Sequence, residues 1–291
     1  MERNLQKKCY QVVAILLIVF ALIVSYQTGR GNYLAHADTV QDIYYGDNTY
    51  SANGSTSWTE SETINYATKT TSYYRINRTY PEYFNSNLDL ENTCANVAGS
   101  NIIGFYDRYY DELIPNCTVG YMGNRYYIYT GVATNPTQIQ GVINDLYIRM
   151  STNNPIAGTN QTQYKTGLSS YVASKGRNTT YNSVMTNGNF DLDKAIAQLN
   201  NGYPITLYLS GYNFTDIIDM GDHVLLSKTI YTGNHIAVAY GYQKISYYNA
   251  DGSLIKTNIY LYVATGFSDD QLMYIVNNNG TLNDAEAVKI S

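Results

Sequence analysis

Glu91-Asn92-Thr93-Cys94-Ala95-Asn96-Val97-Ala98-Gly99-Ser100-Asn101-Ile102-Ile103-Gly104-Phe105-Tyr106-Asp107 is the stretch on which the reading of this chain turns. Ahead of it the sequence has no helical period. Through it, Ala98, Ile102, Phe105 and Tyr109 recur at three- and four-residue spacing. Asp107, Arg108, Asp111 and Glu112 then supply the polar face of a helix that runs to Ile114. Asn92 or Thr93 serves as its N-cap and Pro115 ends it. Cys94 therefore stands at a helix amino end, where unpaired N–H groups and the helix dipole favour a thiolate.

Downstream, a second helix is predicted from Pro136 to about Met150, with Asn135 as N-cap and Ile139, Val142, Ile143, Leu146 and Tyr147 inside. A third runs from about Gln163 to Lys175 and stops at Gly176; a fourth runs from Leu192 to Asn200 and stops at Gly202. The pattern then changes to short aromatic and β-branched runs: Pro204–Leu209, Ile236–Ile245, Ile255–Ala264 and Met273–Val276, with Ala250-Asp251-Gly252 as a turn. Helices first and antiparallel strands after is the α+β class rather than alternating α/β. His235 opens the strand His235–Tyr242, just after a turn at Thr232-Gly233-Asn234. An imidazole there, on a sheet packed against the helix, reaches the Cys94 sulfur and makes a thiolate–imidazolium nucleophile, with His235 as general acid for the leaving amine.

Upstream, Arg3, Lys7 and Lys8 precede a 13-residue apolar run, Val12–Val24, and Ala35-His36-Ala37 offers a small-x-small cleavage site. Thirteen apolar residues fall short of the roughly 20 that a membrane span needs. Residues 1–37 thus read as a signal peptide, which makes the protein secreted. The long stretch Ser25–Ala37 keeps an uncleaved anchor as the other reading, and a membrane enters only in that case. The whole chain carries 18 Lys+Arg against 23 Asp+Glu, and the leader holds four of the basic and one of the acidic residues. The remainder is 14 against 22, or −8. With no basic excess, nucleic acid is excluded as a primary partner. Residues 38–80 are rich in Ser, Thr, Asn and Tyr and read as a propeptide or a tether, with 51–65 as a mobile arm. Ile76–Phe84 is an extended approach, its Pro81 confining any strand there to an edge. The folded domain is then 81–291.

Once Cys9 leaves with the leader, Cys94 and Cys117 remain. A continuous helix between them separates their Cα atoms far beyond the ~7 Å that a disulfide allows. His223 is a rival base, but in an extended segment Asp222 points the opposite way and does not orient it. No short-spaced His pair supports zinc, no Gly-rich loop supports a phosphate, and Asp216, Asp219 and Asp222 read as a solvated turn. No metal or cofactor is expected. The 33 tyrosines either line a binding groove or replace Phe and Leu as amphipathic packing.

The residues around Cys94, together with Phe105-Tyr106-Asp107-Arg108-Tyr109-Tyr110, Ala195–Ile205 and Gly233-Asn234-His235-Ile236-Ala237-Val238-Ala239-Tyr240-Gly241-Tyr242, resemble the papain-like cysteine peptidases. The resemblance is greatest to the bacterial secreted branch related to bacteriocin-processing (double-glycine leader) peptidases, and it covers roughly 80–274. It implies a helical lobe bearing Cys94, a β lobe bearing His235, and hydrolysis of a peptide or protein substrate through a thioester. The family's oxyanion-hole Gln falls at Leu88, so Asn92, or Asn87, with the Cys94 N–H is the implied substitute. The residue that orients the His falls at Thr265, with Asp269 and then Asp270 as stand-ins. A transglutaminase-type acyl transferase uses a similar trio. A catalytically inactive papain-like or Tyr-rich adhesion protein is the reading from a different class.

Overall fold

The computed structural model describes residues 57–76, 80–85, 87, 89–115, 117, 120–121, 127–128, 136–266, 270–274 and 282–291. In chain order the elements are β1 (Ser57–Asn65), β2 (Thr68–Arg75), α1 (Cys94–Asp107), β3 (Gly120–Tyr121), β4 (Tyr127–Ile128), α2 (Pro136–Arg149), α3 (Gln161–Ser174), β5 (Thr179–Ser183), β6 (Met185–Thr186), β7 (Asn189–Phe190), α4 (Leu192–Asn200), β8 (Ile205–Asp219), β9 (His223–Tyr248), β10 (Leu254–Ala264), β11 (Asp270–Tyr274) and β12 (Leu282–Ile290). The class is α+β, with one large antiparallel sheet. The leader, its cleavage site and the cap position Asn135 lie outside the described residues.

The 26-residue β9 organises the sheet. Its first half pairs with β1, from Ser57↔Tyr231 to Asn65↔His223, and its second half with β2, from Thr68↔Tyr248 to Arg75↔Gly241. β8 runs beside β9 from Ile205↔Ala239 to Asp219↔Val224, and β10 pairs with the second half of β9. β10 pairs with β11, which meets β8 at Leu272↔Thr215, so β8, β9, β10 and β11 close a ring. β12 and then β5 continue the sheet beyond β8.

Three expectations are corrected here. Residues 57–75 lie ahead of the expected domain start at 81, yet they form two strands of the main sheet rather than a mobile arm. Their polarity hid them: Ile64 is a buried apolar residue of β1, and Glu62 is pinned between Lys228 at 2.7 Å and Lys256 at 2.5 Å. Helices therefore do not simply precede strands. Finally, β9 begins at His223, so His235 is a mid-strand residue. Thr232 and Gly233, read as a turn, instead sit opposite Gly211 where the β8–β9 register shifts, a β-bulge.

Period two divides the sheet between two cores. Tyr208, Ile236, Val238, Tyr240, Val288 and Ile290 pack with α1, α2 and α3, whereas Leu207, Leu209, Ala237, Ala239, Ala285 and Ala287 pack with Ala195 and Leu199 of α4. Many tyrosines serve as interior packing, with Tyr83, Tyr164, Tyr208, Tyr240, Tyr247 and Tyr260 among the largest fully buried side chains.

α1 departs from its expected polar face and length. It ends at Asp107, and every residue from Cys94 to Asp107 is buried. Its polar side chains face the segments that wrap it. Asn96 Nδ2 donates to Thr152 Oγ1 at 3.0 Å, Asn101 Oδ1 accepts from Tyr83 N at 2.7 Å, and Asp107 Oδ1 accepts from Ile114 N at 2.8 Å. Tyr80 lies between Phe105 (5.3 Å) and Tyr240 of β9 (4.7 Å, interplanar angle 2°), tying the helix to the strand that carries His235.

Two stability predictions follow from this packing. A Cβ on Gly104 would lie 2.5 Å from the buried Tyr83 ring, so Gly104→Ala should lower stability by about 1–3 kcal/mol in urea denaturation. Gly141 has nothing within 4 Å, so Gly141→Ala should raise it by about 0.5–1 kcal/mol. Burial, with lesser contributions from Asp111 and Glu112, raises the Asp107 carboxyl to about 7 against its ordinary 3.8, while the Ile114 N–H and Lys175 pull it down. The folded chain then holds a proton that the unfolded chain releases, so this group's stabilisation is full below about pH 4 and is lost as the pH climbs through 7. Thermal denaturation of Asp107→Asn should show the variant gaining on the parent between pH 4 and 7; a pH-independent difference would count against a protonated Asp107.

Candidate functional site

Cys94 is the first residue of α1, where helix N–H groups lack intrahelical acceptors. Thr93 is the N-cap, but its side chain makes no capping bond. Asn92, the other cap expected from the sequence, lies one residue ahead of it. It adopts a left-handed backbone (φ 58°), which Asn tolerates better than most residues, and turns the chain into the helix. Its Nδ2 donates to Asn153 Oδ1 at 2.7 Å. Asn153, itself at φ 63°, donates to Glu91 O at 3.3 Å and Tyr147 Oη at 2.8 Å, and accepts from Gly158 N at 2.6 Å. The loop after α2 thus braces Glu91 and Asn92, just ahead of the thiol.

His235 is 2% exposed and Cys94 is 3% exposed. His235 Nε2 lies 2.8 Å from the carbonyl oxygen of Thr265. A carbonyl only accepts, so Nε2 carries the hydrogen and Nδ1 carries the lone pair that can take a proton. Thr265 is the position that direct matching assigned to the orienting residue, and its backbone makes the contact. Next to it, Gly266 (φ +81°) comes so close to α1 that an added Cβ would lie 3.1 Å from Val97 Cγ1. That approach brings the end of β10 onto the first turn of the Cys94 helix.

Against the imidazole lies Tyr212, which the sequence reading did not single out. Its ring stacks on His235, with centroids 5.0 Å apart and planes at 25°. Tyr231 covers its other face at 4.8 Å and 14°. Burial raises its phenol well above the usual value, with smaller contributions from Tyr231 and Cys94. The available signal was Gly211, an isolated glycine inside a strand pattern, which marks a bulge.

Burial pushes His235 down to about 4, only partly offset by the Thr265 carbonyl. At neutral pH the imidazole is uncharged, so the thiolate–imidazolium pair expected from the sequence is not the resting state.

The other candidates fall elsewhere. Asp269 and Leu88 lie outside the described residues, and Asp270 opens β11 opposite Ala264. Asn87 Oδ1 accepts from Asp89 N at 3.0 Å within its own turn. His223 lies twelve residues from His235 along β9, roughly 40 Å of extended chain. Asp222 does bond His223 Nδ1, at 2.6 Å, contrary to the alternation argument, because Asp222 still belongs to the turn and period two does not yet apply. Cys94 and Cys117 are not joined in a disulfide. Among the described residues no three His, Cys, Asp or Glu side chains are grouped so as to hold a metal. Compared with family models, curated proteins and solved structures, the chain matches none.

The low His235 value has a measurable sign. An unfolded histidine takes its proton near 6.5 and the folded one near 4, so the neutral ring's contribution is intact above pH 6.5 and declines as the pH falls toward 4. The loss should reach roughly 3 kcal/mol and be absent in His235→Gln. Denaturant titrations of both proteins from pH 7.5 to 4 measure it; parallel curves would mean that His235 is solvated.

Proposed function

We propose that the protein is a cysteine-dependent hydrolase acting on peptide amides, with Cys94 as nucleophile and His235 as its base. One juxtaposition carries the reading. A thiol opens a fully enclosed helix, and the imidazole is held in the Nε2–H form by Thr265, whose neighbour Gly266 lies against Val97 in the first turn of that helix. The order of the parts, a Cys helix followed by strands bearing the His, is that of the papain-like peptidases and supports the same reading.

In the proposed reaction Nδ1 of His235 takes the Sγ proton as sulfur adds to the substrate carbonyl, so the ion pair forms during attack rather than before it. The oxyanion develops beside the Cys94 N–H, with Asn92, two residues ahead, as the candidate side-chain donor. The imidazolium then protonates the leaving amine, and water hydrolyses the thioester. Export of the chain, expected from its leader, places the reaction outside the cytoplasm.

The second reading, an inactive extracellular binding module, has one observation in its favour: both reacting side chains are nearly inaccessible. Intact-mass detection of an acyl-enzyme from a small activated ester such as p-nitrophenyl acetate separates the two. The hydrolase should acquire one acyl group at Cys94, keep it in Cys117→Ser, lose it in Cys94→Ser, and form it about 10²–10⁴-fold more slowly in His235→Ala. An unmodified Cys94 from pH 5 to 9 would favour the binding module.

A further inference from the structure

We infer that the ring of Tyr212 is the positioning residue for His235, doing with the Thr265 carbonyl what a side-chain amide or carboxylate was expected to do from the end of β10. The step from ring orientation to rate rests on the proposed hydrolase reading; the orientation itself does not.

The hydrogen bond between Nε2 and Thr265 O, at 2.8 Å, fixes one corner of the imidazole and defines a line about which the ring would turn. A flat ring lying over its face blocks the swing. Tyr212 does so at 5.0 Å and cannot itself tilt away, because Tyr231 backs it at 4.8 Å and Phe214 lies 5.3 Å to its side. The result is a three-ring stack, Tyr231–Tyr212–His235, closed by a backbone carbonyl. Offset stacks of this kind contribute beyond their buried area and are rigid because each ring has only two side-chain torsions.

The backbone is shaped to make this stack. In a regular β8, Tyr212 would face away from Leu209, the cross-strand partner of His235. Gly211 takes φ +65° opposite Thr232 and Gly233, the alternation breaks, and Leu209 and Tyr212 enter the same core cluster. A bulge that re-aims a side chain at a candidate reacting group is a common use of such irregularities. Among the described residues, the titratable groups stacked with the imidazole are the phenol of Tyr212 from β8 and, behind it, that of Tyr231 from β9.

The test follows His235 directly by imidazole ¹⁵N and ¹³C NMR against pH, beside the acylation rate at Cys94. The parent should show a single Nε2–H tautomer titrating near 4. Tyr212→Leu should give mixed tautomers, a midpoint moved toward the ordinary 6.5, and at least tenfold slower acylation with its acid limb moved the same way. Tyr212→Phe, which keeps the ring, should rescue the single tautomer. If Tyr212→Leu does not fold, Tyr231→Leu removes only the outer ring and should loosen the tautomer in the same direction. Unchanged tautomer and midpoint in both leucine variants would overturn the proposal. A phenylalanine variant behaving like the leucine one would also overturn it, because the hydroxyl would then be the group that matters. If NMR behaves as expected while no variant, nor the parent, acylates Cys94, the hydrolase reading fails and the positioning role stands.

Discussion

A helix with no solvent face has to turn its polar side chains onto the segments around it, and α1 is such a helix. Each unpartnered buried polar group costs on the order of 1–3 kcal/mol, so Asn96, Asn101 and Asp107 select the segments that lie against them. Those segments come from three directions: Tyr83 ahead of the helix, Ile114 just after it, and Thr152 beyond α2. The remaining surface is filled by Phe105, Tyr80 and the Tyr240 ring of β9. The orientation of Cys94 is thus fixed by contacts made along the whole length of its helix.

The second fixed body is β9. Because it is long enough to pair with β1 and β8 at one end and with β2 and β10 at the other, its backbone can hold a local irregularity without losing register elsewhere. The bulge at Thr232-Gly233 is placed just before His235. Its effect reaches the chemistry through Tyr212 rather than through the bulged residues.

Much of this was legible in the sequence, and the failures share a cause. α4 and its terminating Gly202, the span of α2, and the position of Cys94 at a helix start follow from local period and caps, which need no tertiary knowledge. β1 and β2 were missed because ion pairs, Ile64 and a long partner strand hold them, and composition carries none of that. Asp107 and Asn96 read as polar and were assigned outward or ignored, since period alone cannot tell a solvent face from a face wrapped by loops. His235 was read as a strand start because Thr232-Gly233-Asn234 has turn chemistry; with partners on both sides the same residues make a bulge. At Thr265, one of the positions where an orienting side chain was sought, it is the backbone carbonyl that bonds His235.

The enclosure that aims the imidazole also removes its charge. An orienting carboxylate would raise the His pKa and favour a standing ion pair, whereas a carbonyl and an aromatic face supply direction with little compensating charge, and desolvation then dominates. Such a base is weak in its resting state and gains strength only when water or a substrate's polar groups enter beside it. In the proposed hydrolase, opening the site and activating the thiol would therefore be one event: displacing what covers Cys94 and His235 would also restore the solvation that lets His235 accept a proton.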